Sequence, residues 1–137
     1  RMEQQALNAV QVANYLKQHP KVSHGYYLCF IPEQGTPNEQ RIFREQYTSS
    51  GAMIAFDVKG GEKEAFVFLN NLKLIKLAVS LGSTESLAEH PGTMTHADVP
   101  QEDKIAMNIT PSLVRVSVGV EHYEDIIADI EQALSLV

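Results

Sequence analysis

Apolar residues recur along the first part of the chain at Met2, Ala6, Ala9, Val10, Ala13 and Leu16, a spacing that turns one face of a helix inward, and His19-Pro20 ends the run. Val22 to Phe30 is rich in β-branched and aromatic residues and reads as a strand. A Pro- and Gly-containing loop, Ile31 to Pro37, leads to a helix capped by Asn38 and running through Tyr47, with Ile42, Phe43 and Tyr47 on its apolar side. Ser49-Ser50-Gly51 marks a turn and Ala52 to Val58 a buried strand. Lys59-Gly60-Gly61 punctuates the chain before a helix from Glu62 to Leu72 that points Ala65, Phe66 and Leu69 inward. Leu74 to Val79 reads as a strand, Ser83 to His90 as a short acidic helical turn, and Pro91 to Val99 as a loop. Pro100 suits the start of a helix over Gln101 to Met107, and Leu113 to Val118 alternates like a strand. Ile126, Ile127, Ile130, Ala133, Leu134 and Val137 form the last helical stripe, with Glu121, Glu124 and Asp125 favourable to the dipole at its start.

Four strands separated by helical connections, without repeats or hairpins, predict one α/β (α+β) domain over residues 1–137: a small four-stranded sheet covered by helices. Composition agrees, at 44% hydrophobic and 20% charged residues, outside the range of disordered chains. A net charge of −6 argues against nucleic acid, which calls for a basic stripe. The most apolar stretch, Ala65 to Leu81, is broken by Asn70, Asn71, Lys73 and Lys76, so no membrane partner is expected. With Cys29 as the single cysteine, neither an internal disulfide nor a multi-thiolate zinc site can form, and a cytoplasmic setting is expected. The helical pattern begins at once after Arg1, without a cap, which predicts a piece of a longer protein.

Most candidate chemistry reads as structure. Gly60-Gly61 lacks the Lys-Ser or Lys-Thr pair of a phosphate loop. His90 and His96 fall short of the three or four ligands zinc needs, and the apolar neighbours of Cys29 predict a buried thiol with a raised pKa. Glu102-Asp103 and Glu124-Asp125 sit in helix first turns, where charge is favoured structurally. Arg115 stands apart. It interrupts the apolar run Leu113-Val114-Arg115-Val116-Ser117-Val118, where arginine is costly without an anion. That anion is either an internal carboxylate, Glu85 or Glu121, or a substrate carboxylate gripped by the planar guanidinium fork. Val79 to Leu87 brings backbone amides and hydroxyls together in a place that holds an anion or merely connects two elements.

Ser80-Leu81-Gly82, Glu85-Ser86-Leu87, His90-Pro91, Met94-Thr95-His96 and the stretch Arg115 to Glu121 resemble the C-terminal domain of the cysteine/methionine-metabolism family of pyridoxal-phosphate enzymes. That family contains methionine γ-lyase, cystathionine γ-lyase, cystathionine γ-synthase and the homoserine-ester sulfhydrylases. The match runs from Gly51 to Leu134, with a weaker start at Arg1-Met2-Glu3 and His19 to Val22. Tyr27-Leu28-Cys29-Phe30 and Thr48-Ser49-Ser50-Gly51 depart from the family pattern in the outer parts of the domain.

The resemblance implies the small, mostly antiparallel C-terminal domain of a fold-type I enzyme about three times longer. It implies pyridoxal 5'-phosphate held by a large domain outside this chain, since none of the seven lysines follows a threonine as the Schiff-base lysine usually does. Carried over, Arg115 binds the substrate α-carboxylate, Ser80 lines the same pocket and Thr95 lies near its mouth. The apolar Val79 before Ser80-Leu81-Gly82 points toward a methionine γ-lyase-like parent, since enzymes handling cystathionine often carry Glu there. The implied parent is a carbon–sulfur lyase or γ-replacement enzyme, a homotetramer acting on a sulfur amino acid or homoserine ester, and this piece alone is inactive. The competing expectation is a freestanding α+β amino-acid-binding or regulatory domain.

Overall fold

A computed structural model describes residues 1–137. Helix α1 (Met2–Gln18) precedes strand β1 (Val22–Tyr26), a single 3-10 turn (Leu28–Phe30), the short helix α2 (Ile31–Gln34) and helix α3 (Pro37–Gln46). Then follow β2 (Met53–Val58), α4 (Glu62–Asn70), β3 (Lys76–Leu77), β4 (Leu87–Glu89), α5 (Gln101–Ala106), β5 (Leu113–Ser117) and α6 (Tyr123–Leu134). The strands form one five-stranded sheet in the order β1-β2-β5-β4-β3, antiparallel throughout except for the β3–β4 edge.

Alternation within the strands decides the two faces. Ile54, Phe56 and Val58 of β2 and Val114, Val116 and Val118 at β5 point to one side, where Ala9, Val12, Ala13 and Leu16 of α1 and Ile126, Ile130, Ala133 and Leu134 of α6 close the core. Phe68 of α4 meets Phe56 edge-on at 5.6 Å between ring centroids. The opposite face carries Met53, Ala55, Leu113, Arg115 and Ser117. Cross-strand register there sets Tyr26, Ala55, Arg115 and Glu89 in one row across four strands.

The expected four-strand sheet gains a fifth strand. Ser83 to His90 is not a helical turn: Leu87–Glu89 is β4, wholly buried beside β5. The Glu121 carboxylate holds the entry to this strand, accepting from Ser86 N at 2.6 Å and from Ser86 Oγ at 2.8 Å. The strand expected through Phe30 stops at Tyr26, and Cys29 lies in the 3-10 turn. The loop expected over Ile31 to Pro37 contains α2. Thr36, not Asn38, caps α3: Thr36 Oγ1 accepts from Glu39 N at 3.3 Å while Glu39 Oε2 accepts from Thr36 N at 2.7 Å. In α4 the inward aromatic is Phe68, while Phe66 is half-buried against the His90 ring.

Two polar side chains of α1 enter the interior and tie this helix to the end of β5 and to the loop before β4. Gln5 Nε2 donates to Ser83 O at 2.7 Å and Val118 O at 3.1 Å, and Asn8 Nδ2 to Gly119 O at 3.1 Å and Glu121 O at 2.7 Å. Gly119 is required at that crossing, since a Cβ would lie 2.5 Å from Thr84 O and 2.6 Å from the Glu85 carbonyl carbon.

Candidate functional site

β5 delivers Arg115 to the sheet face away from the helices, between Ala55 of β2 and Glu89 of β4. Its side chain is 21% exposed. Nη2 donates to Val79 O at 2.8 Å and to Ser80 O at 3.2 Å, and Nη1 lies 2.7 Å from Glu89 Oε1. Nε is buried without a partner. A guanidinium has five N–H donors, so the two carbonyls and one carboxylate leave part of the fork unused. Arg115 also lines the largest cavity, about 560 Å³, together with His24, Tyr26, Tyr27, Met53 and Ala55.

Ser80 is exposed and meets Arg115 through its carbonyl. The loop that carries it turns at Gly82, whose φ of +73° falls in the left-handed region that glycine tolerates, and Gly82 N donates to Ser117 Oγ at 2.9 Å. The amides of Gly82 and Ser86 are therefore spent within the chain, on Ser117 and on the Glu121 carboxylate. Thr95 joins from the other side: its hydroxyl donates to Glu89 Oε1 at 3.2 Å and lies 2.9 Å from His96 Nδ1. Arg115, Ser80 and Thr95, separated in sequence, thus converge, the first two directly and the third across Glu89.

Glu89 is the member the sequence reading missed. Neither Glu85 nor Glu121 pairs with Arg115. Glu85 is exposed and Glu121 is engaged with Ser86. The strand assignment held the signal, since a residue in register with Arg115 could be sought only once Leu87–Glu89 was seen as a strand.

The remaining candidates are occupied structurally. His90 is buried, with Nε2 at 2.8 Å from Pro111 O and Nδ1 at 2.9 Å from Thr93 Oγ1. Burial pushes the Cys29 thiol above its ordinary range. Pyridoxal phosphate does not fit the residues present. The cationic fork at the site faces two backbone carbonyls and a carboxylate, an unsuitable setting for a dianionic phosphate. Lys17, Lys21 and Lys104 engage Glu33, the Ser135 and Val137 carbonyls and the Gly92 carbonyl, respectively.

The model of the Cys/Met metabolism PLP-dependent enzyme family matches residues 1–135. An L-methionine gamma-lyase of Fusobacterium nucleatum subsp. polymorphum is 47% identical over 137 residues, all of this chain and 34% of the relative. A cystathionine gamma-lyase of Dictyostelium discoideum is 42% identical over 134 residues, 98% of this chain and 34% of the relative. The crystal structure of cystathionine gamma-lyase from Lactobacillus plantarum complexed with L-serine superposes with a TM-score of 0.89 at 36% identity, covering 100% of this chain and 35% of that one. The helix-covered sheet is accordingly that of part of a fold-type I pyridoxal-phosphate enzyme. The chain spans about a third of the length of the curated relatives it matches. With the family model covering all but the last two residues, the chain belongs to the Cys/Met metabolism PLP-dependent enzymes, whose cofactor is pyridoxal phosphate.

Proposed function

We propose that residues 1–137 form the C-terminal, substrate-carboxylate-binding domain of a longer pyridoxal-phosphate-dependent carbon–sulfur lyase, methionine γ-lyase-like in its substrate. The observation that carries this reading is Arg115: a guanidinium anchored by the Val79 and Ser80 carbonyls, with donors to spare, on the wall of the largest cavity. Its role is to bind and orient an amino acid through the α-carboxylate. Ser80 reaches Arg115 through its carbonyl and Thr95 through Glu89, whereas the cavity itself is lined by Arg115 and not by either of them. Val79 is exposed beside them and offers an apolar wall suited to a thioether side chain. The cofactor and its lysine belong, in this reading, to a large domain, and the whole enzyme is a cytoplasmic homotetramer taking a sulfur amino acid or a homoserine ester. No helix is long and apolar enough to cross a membrane.

Charged hydrogen bonds contribute roughly 1.5–3 kcal/mol each. In the full-length enzyme Arg115→Ala is therefore expected to lower kcat/KM for L-methionine by at least about a hundredfold. Steady-state kinetics of the two enzymes checks this, and an unchanged KM would refute the carboxylate role. The isolated chain is expected to be inactive and to keep no pyridoxal phosphate through gel filtration. Micromolar binding of methionine to it by calorimetry would favour a freestanding amino-acid-binding domain instead.

A further inference from the structure

Glu89 has no task in the carboxylate reading of Arg115, yet it is the most enclosed charged side chain at the site. Its side chain is 1% exposed. Oε1 meets Arg115 Nη1 at 2.7 Å and receives Thr95 Oγ1 at 3.2 Å, whereas Oε2 is buried with no partner at all. A carboxylate held this way is costly, because desolvation is only partly offset by its two donors. It also stands against the proposed ligand, since a second carboxylate brought to the same guanidinium is repelled by the first. An apolar side chain in β4, like its neighbours Leu87 and Ala88, would avoid both costs but strand the Arg115 guanidinium without its anion, so Glu89 and Arg115 act as one unit.

We propose that Glu89 is a specificity-determining and positioning residue that sets how tightly Arg115 holds an α-carboxylate. This rests on the reading of Arg115 given above. Glu89 acts in two ways. It fixes Nη1, so that with the Val79 and Ser80 carbonyls on Nη2 the guanidinium plane is held at three points. It also cancels much of the positive charge the fork would present, which keeps carboxylate affinity low. Binding that is equally strong in the ground state and the transition state lowers KM without raising kcat, so damping it leaves the substrate's other contacts to decide which amino acids are held. Thr95 is the regulator of this balance, because its hydroxyl takes a share of the Glu89 charge that would otherwise fall on Arg115.

The test uses the full-length enzyme and L-methionine. Glu89→Gln keeps an oxygen for Nη1 and for the Thr95 hydroxyl but removes the charge. It is expected to lower KM by about tenfold, a like-charge repulsion across two groups on one guanidinium, and by more than it changes kcat. Thr95→Val is expected to raise KM by about threefold in the parent and to have no effect in the Glu89→Gln background. A Glu89→Gln enzyme whose KM equals or exceeds that of the parent, with Arg115→Ala still strongly impaired, overturns the proposal and leaves the carboxylate reading standing. An Arg115→Ala enzyme with unchanged KM removes the reading itself. If Glu89→Gln does not fold, Thr95→Val decides alone, and an unchanged KM overturns the proposal.

Discussion

Arg115 shows how the place of one residue in a strand dictates its partner. Its place in an apolar strand predicts an anion partner, and the partner is Glu89, set opposite by β-sheet register and not by sequence proximity. Gly119 is the other residue on which the site depends. A Cβ there would come within 2.5 Å of Thr84 O and 2.6 Å of the Glu85 carbonyl carbon, and backbone cannot step aside as a side chain can. Gly119→Ala is therefore expected to destabilise the protein by about 2–3 kcal/mol, read as a lower urea midpoint. On the role proposed for Arg115 it should also raise KM for L-methionine in the full-length enzyme, because the displaced segment leads to Ser80.

At the scale of elements, the long amphipathic pieces were legible and the short ones were not. The stripes of α1 and α6 and the alternation of β2 and β5 are strong because each buries a continuous face, and the structure places all four close to their expected limits. β4 escaped because three residues hold no period, and Ser-Leu-Ala-Glu resembles a helix by propensity. Tertiary pairing with β5 overrides that preference. The same limit hid half of the site, since Arg115 announces itself by its cost whereas Glu89 in an acidic stretch does not. α6 also holds a second segment in place. Its Asp129 carboxylate accepts from Lys73 N at 2.8 Å, Leu74 N at 2.9 Å and Ile75 N at 2.8 Å, capping the chain as it enters β3. Asp129→Ala orphans three amides, of which that of Ile75 is buried, and is expected to cost about 2–4 kcal/mol by chemical denaturation.

For the whole molecule, acid is the expected weak point. The Thr36 amide and hydroxyl hold the Glu39 carboxyl below its ordinary range, the Gly61 amide does the same for Glu64, and the Tyr15 hydroxyl, with His19, for Glu131. A carboxyl whose folded pKa is depressed adds stability that is present above its unfolded value and lost as pH falls through the folded one. Melting temperature should thus hold steady near neutrality and decline below about pH 4.5, the ordinary glutamate range. Glu131→Gln should flatten part of that decline, which circular dichroism melts across pH 3 to 7 would register. The knot made by Gln5 and Asn8 works at the same scale. It ties the first turns of α1, through side chains buried beneath the helix, to the backbone at Ser83 and to the end of β5, so a displacement of that helix is handed on to the strand that bears Arg115.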